Sequence, residues 1–79
     1  MTRKKHSDAR FAVGQAVRKL RMAKGISQEE LAELAEIHRT SIGDVGRGTR
    51  NISLVNMSKV AAALDVPLSQ LIAEMERGL

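Results

Sequence analysis

The sequence predicts an all-α protein built as a compact bundle of five short helices, and three observations carry that expectation. Apolar residues recur at spacings of three and four along most of the chain instead of alternating. Hydrophobic residues make up 43% of the chain but aromatics only 1%, Phe11 alone, and there is one proline, Pro67. A core of Leu, Ile, Val, Ala and Met suits close-packed helices better than sheets. The third observation is punctuation, with serines ahead of apolar stretches and glycines behind them. At 79 residues the chain is expected to be one small domain, and with no cysteine it has neither a disulfide framework nor a thiolate metal site to supplement its core.

Residues 1–6 are polar and basic, with nothing to bury, and are expected to form a flexible arm ahead of a single domain over 7–79. The first helix is expected near Ser7, a good N-cap, with Val13, Val17 and Leu20 as its apolar stripe and Phe11 and Ala16 beside it. Lys24-Gly25 is its stop, a basic last turn followed by glycine at the left-handed position. Ser27-Gln28-Glu29-Glu30 has the form of a capping box, with Ile26 as a hydrophobic staple, and opens a second helix burying Leu31, Leu34 and Ala35. A third helix is expected from His38 or Arg39 to about Arg47, with Gly48 as its stop. Ser53 caps a fourth, with Met57, Val60, Ala61 and Leu64 inward. Helix five is expected to begin at Pro67 and to carry Leu68, Leu71, Ile72 and Met75 towards Gly78.

The charge is distributed unevenly. Net charge is +4, but residues 1–50 hold eleven of the thirteen Lys and Arg against six acids, while residues 51–79 hold two against three. One basic half implies a polyanion on that side, although a solvated surface would give the same count. Chemistry of other kinds is nearly absent. His6 and His38 lie far apart without metal-ligand spacing, and the acids of the second helix have no nucleophile or base beside them. The reading is therefore of no enzyme, no cofactor and no metal. No apolar run approaches membrane-spanning length and no signal segment follows the basic start, so the expected location is the cytoplasm.

From Gln28 to Gly48, Leu31, Ala32, Ala35, Ile37, Ile42 and Val45 are apolar where two steeply crossing helices would touch, and Ala32 is small at the crossing. This stretch, with Val13-Gly14, Arg18-Lys19-Leu20-Arg21, Gly25-Ile26-Ser27 and Ser53-Leu54 to Leu71, resembles the helix-turn-helix family of phage-repressor type. Within it, His38-Arg39-Thr40-Ser41-Ile42 and Arg47-Gly48-Thr49-Arg50-Asn51-Ile52-Ser53-Leu54 are similar to the controller proteins of restriction-modification systems. The resemblance implies a lambda-repressor-like fold with the motif on helices two and three, and a transcription regulator that pairs through its C-terminal helices. The partners it implies are double-stranded DNA, a second copy of the chain and RNA polymerase.

Helix geometry orients the third helix independently. With Ile42 and Val45 inward, a turn of 100° per residue sends Thr40, Gly43, Asp44 and Arg47 outward with Arg39 and Ser41 flanking, a face for reading bases in the major groove. Ser27, Gln28, His38, Arg50, Asn51 and Ser53 are the expected phosphate contacts. Leu54, Val55, Leu68, Ile72, Met75 and Leu79 exceed what the core needs and are expected at a dimer interface.

Two departures from the family pattern stand out. Glu36 occupies a turn position where many relatives have glycine, and is expected to adopt a conformation open to any residue. Gly46 stands where the family commonly has a glutamate that pairs with the arginine matching Arg21. That leaves Arg21 to reach a phosphate or to pair with Asp44 or another acid. Gly43 and Gly46 weaken the third helix by about 1 kcal/mol each, for close approach either to DNA or to a neighbouring helix. Gly43-x-x-Gly46-x-Gly48 as a nucleotide-phosphate loop lacks the preceding strand such a loop requires. Two rival functions remain at this level: an antitoxin or protein-interaction module with autoregulatory DNA binding, and a non-specific nucleic-acid binder.

Overall fold

The computed structural model describes residues 6–48 and 51–79, with side chains from Ala9 onward. Five helices follow in order: α1 (His6–Lys24), α2 (Gln28–Ala35), α3 (Arg39–Gly46), α4 (Leu54–Ala63) and α5 (Leu68–Arg77). The expected arm falls mostly on residues 1–5, outside the described residues; Ser7, the expected cap, lies one residue inside α1.

Each boundary has a local cause. Gly25 takes φ 77° and closes α1, with its N–H and that of Ile26 donating to the Arg21 carbonyl at 3.0 and 3.3 Å. Ser27 caps α2: the Glu30 N–H donates to Ser27 Oγ at 3.0 Å, and the Ser27 N–H to Glu30 Oε1 at 3.0 Å. His38 holds the N-cap of α3 without a side-chain cap bond. Gly48, at φ 72°, follows that helix. Ser53 caps α4 by accepting from the Asn56 N–H at 3.1 Å. The left-handed residue after α4 is Asp65, φ 61°, a type that tolerates this region better than most. Pro67 is the N-cap of α5, so that helix starts at Leu68, one residue later than expected.

The core draws on every helix: Val13, Ala16 and Val17 from α1, Leu31, Ala32 and Ala35 from α2, Ile42 and Val45 from α3, Met57, Val60 and Ala61 from α4, Leu71 from α5. The longest helix, α1, lies against α5 and α3, while α2 packs between α3 and α4. Lys19 of α1 pairs with Glu74 of α5 at 3.0 Å, joining the two helices, and Arg77 pairs with the same Glu74 within α5 at 2.9 Å.

Three expectations need correcting. Leu34 is 56% exposed, because Leu31, Ala35 and Ala32 define a buried face whose centre lies about 110° round the helix from it. Phe11 is also 56% exposed, at about 160° from Val13 on the wheel of α1, and buried Ala12 lies nearer the core than it does. Glu36 does not escape the glycine-like conformation: it sits at φ 57°, ψ 44°. Its N–H donates back into the last turn of α2, and the next residue, Ile37, donates to the Ala32 carbonyl at 2.9 Å. The tight turn into α3 needs this left-handed residue whatever its type.

Gly14, part of a pattern in the sequence, has a mechanical role in the structure. A Cβ there would lie 2.2 Å from the Val45 carbonyl oxygen and 3.1 Å from that of Gly46, so α1 crosses the end of α3 at backbone contact. The placement of α3 on the body of the protein depends on this missing methyl.

Candidate nucleic-acid interface

The motif helices α2 and α3 meet through the buried side chains of Leu31, Ala32, Ala35, Ile42 and Val45, which fixes the outer face of α3 against the start of α2. Between them lies a shallow cavity walled by Arg21, Ser27, Gln28, Arg39, Thr40 and Arg47, with Gly43 at its floor and Glu29 at its edge. The first backbone N–H groups of α2 have no partner within their own helix and carry the positive end of its dipole, so this cavity is attractive to anions.

The expected base-reading residues divide into three groups. Arg39 and Thr40 are exposed on the cavity wall. Arg47 lies across Gly43, whose absent Cβ would be 3.2 Å from Arg47 Nη1, so Gly43 is buried beneath that side chain and presents no open edge of its own. Ser41 faces away, half-buried beside Ile42, Val45, Asn51, Ile52 and Ser53. Asp44 accepts from Arg47 Nη2. Neither glycine's missing side chain is demanded by a neighbouring helix: a Cβ at Gly43 would lie 3.2 Å from Arg47 Nη1, and one at Gly46 would lie 3.6 Å from Gln28 Nε2.

Of the expected phosphate contacts, Ser27 and Gln28 line the same cavity, while His38 is exposed at the turn beside Glu33 and Glu36. Asn51 and Ser53 are exposed ahead of α4, and Arg50 falls outside the described residues. Leu54 and Val55 are each 66% exposed in the first turn of α4, and Leu79 is exposed at the chain end. Leu68, Ile72 and Met75 are partly buried against the core, so only part of their surface is available to a partner.

Two features of the site escape sequence reasoning. Arg39 Nη1 donates to Glu29 Oε1 at 3.1 Å, a contact between helices with no periodic signature to announce it. Arg21 does not pair with an acid: its Nη1 donates to the Ile26 carbonyl at 2.7 Å, and no carboxylate pairs with it among the described residues. No group of three metal-binding side chains occurs among the described residues, and no helix among them is long and apolar enough to cross a membrane.

The family model described as helix-turn-helix matches residues 17–71, which include the whole α2–turn–α3 unit. The chain belongs to the helix-turn-helix family. It is 48% identical over 61 residues to the control protein C.BamHI of Bacillus amyloliquefaciens, covering 76% of this chain and 75% of that protein. It is 36% identical over 72 residues to the control protein C.MunI of Mycoplasma sp, covering 90% and 97% respectively. Among solved structures, the restriction-modification controller protein C.AhdI from Aeromonas hydrophila superposes with a TM-score of 0.76 at 50% identity, covering 78% of this chain and 94% of that one. The protein is thus a DNA-binding transcription regulator similar to the controller proteins of restriction-modification systems.

Proposed function

We propose that the protein acts as a homodimer that recognises a palindromic site in double-stranded DNA by placing α3 in the major groove. The observation that carries this reading is the convergence of Arg39, Thr40 and Arg47 on one exposed cavity wall beside the start of α2. Arginine forks suit the O6 and N7 acceptors of guanine, and a threonine can offer its hydroxyl or meet a thymine methyl. Glu29 and Asp44 hold the two forks in the free protein. The Arg39–Glu29 pair is exposed at both ends and contributes at most about 1 kcal/mol, so exchanging it for a base edge costs little.

Ser27, Gln28, His38, Arg50, Asn51 and Ser53 set register by contacting phosphates, and Asp44, which holds Arg47, borders the reading face. Leu54 and Val55, with the uncovered parts of Leu68, Ile72, Met75 and Leu79, form the two-fold interface. A dimer of this kind sets its two α3 helices about 34 Å apart, on successive turns of the groove. The role is regulatory and not enzymatic, exercised in the cytoplasm, and RNA polymerase at the same promoter is the expected further partner.

Selection of labelled random duplexes by the purified protein at near-physiological salt tests this reading. Enrichment of an inverted repeat with half-sites one helical turn apart is the expected result. Binding without enrichment would overturn it in favour of non-specific attraction to phosphates.

A further inference from the structure

A cavity of about 330 Å³ lies between the start of α1, the loop ahead of α4 and the end of α5. Val13 and Met57, both buried, form its floor, and Ile52 and Met75, partly buried, form its sides. Arg10 of α1 and Asn51 of the loop are the only polar side chains that line it among the described residues. Volume and lining both suit a small organic molecule, since such sites are mostly apolar with a few polar groups that fix orientation. The two methionines can adapt their shape to an apolar body.

Arg10 determines the charge of the occupant. It is half-buried and pairs with no carboxylate among the described residues, and its Nε is closed off from solvent without an acceptor. An enclosed guanidinium donor left unpaired is unfavourable, so the group calls for an acceptor. A carboxylate accepts from the Nε and Nη donors of one guanidinium together, as a bidentate pair, and the Asn51 amide can donate to the same head group. The chemistry that fits is a carboxylate on a short apolar tail.

We propose that this cavity is an effector site for a small carboxylate with an apolar tail, and that its occupant opposes DNA binding. The site stands on the cavity and on Arg10; only its effect rests on the DNA-binding reading above, in which Asn51 contacts a phosphate. Occupancy neutralises the charge of Arg10 and engages Asn51, so ligand and duplex weaken each other by the same factor. Met75 also borders the proposed two-fold interface, which makes an apolar side chain of a second copy the competing occupant.

Octanoate is the probe, with acetate as the head alone and octanol as the tail alone. The chain has four methionines and neither Trp nor Tyr, so methionine-methyl NMR follows the titration. Met57 and Met75 should shift saturably with octanoate, while Met22, exposed near the far end of α1, should not. Arg10→Met should weaken octanoate binding about tenfold, to the level of octanol. Ala9→Leu, at a half-buried position on the cavity wall, should weaken octanoate and octanol alike. With the selected duplex at constant ionic strength, octanoate should weaken binding to the parent about fivefold and acetate not at all, and Arg10→Met should no longer respond. The site is overturned if octanoate leaves Met57 and Met75 unmoved or if octanol binds the parent as tightly as octanoate. It is equally overturned if the shifts appear only where sedimentation shows the dimer dissociating, because a second copy then fills the cavity. Saturable, Arg10-dependent binding that leaves duplex affinity unchanged would overturn the effector role. Failure of the parent to select any duplex, with the octanoate shifts intact, would instead overturn the DNA-binding reading and leave the ligand site standing.

Discussion

At Arg39 the side chain already has a partner, and that decides how its removal should read out. The Arg39–Glu29 pair is about 70% exposed at both ends, so its loss costs the free protein almost nothing. Arg39→Ala should leave Tm nearly unchanged yet relax one base position of the selected site, at a cost of about 1 to 3 kcal/mol in binding. Repeating duplex selection with the variant checks this, and a uniform loss across sequences would reassign Arg39 to phosphate contact. Glu36 presents the opposite case, a residue whose cost is in the fold alone. Its side chain is exposed and forms no ion pair or hydrogen bond among the described residues, while its backbone is left-handed at φ 57°. That conformation costs a side-chain-bearing residue about 1 to 2 kcal/mol, and glycine returns part of the gain through unfolded-chain entropy. Glu36→Gly should therefore stabilise the protein by about 0.5 to 1 kcal/mol, raising Tm by a few degrees. A fall in Tm would mean that the turn relaxes in solution to a conformation glutamate prefers.

At the scale of elements, the α1–α3 crossing controls where the recognition helix sits. Within an ordinary exposed helix, Gly→Ala is favourable by about 1 kcal/mol. At Gly14 the new methyl would lie 2.2 Å from a backbone oxygen, and neither helix can yield without shifting. Gly14→Ala should destabilise by about 1 to 3 kcal/mol and weaken DNA binding as α3 moves, whereas Ala at the open Gly46 position should do neither harm. Thermal unfolding of the two variants side by side makes the comparison, and a gain in Tm at Gly14 would show that the helices stand farther apart. The contrast explains what is legible in the sequence. Capping boxes, glycine stops and apolar spacing act within a few residues, so Ser27, Ser53, Gly25 and the core residues of four helices can be read directly from the chain. Leu34 and Phe11 are misplaced when hydrophobic type outweighs angle on the helical wheel. The crossing at Gly14, the Glu29–Arg39 pair and the Arg21–Ile26 bond arise only when elements meet, and residues several positions or a whole helix apart leave no periodic trace.

For the whole molecule, charge and apolar surface gather on different elements. Arg18, Arg21, Arg39 and Arg47 gather around α2 and α3, while Leu54 and Val55 stand exposed at the start of α4. Those two residues offer a clean test of assembly, because they lie in the first turn of a helix, where acidic side chains are favoured by the dipole and cost the fold little. Leu54→Asp combined with Val55→Glu should leave the monomer folded, with Met57, Val60 and Ala61 still anchoring α4 in the core. The dimer should dissociate at concentrations where the parent chain stays paired, since two buried apolar side chains per protomer are replaced by charges facing their symmetry mates. Sedimentation equilibrium with interference optics suits a chain without Trp or Tyr. DNA binding should then fall much further on the full palindrome than on an isolated half-site, because linking two half-sites raises affinity only while both protomers are held together. An unchanged mass would move the interface to the partly covered surface of α5, at Leu68 and Ile72. An unchanged mass with unchanged half-site spacing would show that Leu54 and Val55 face solvent in the assembled regulator as well.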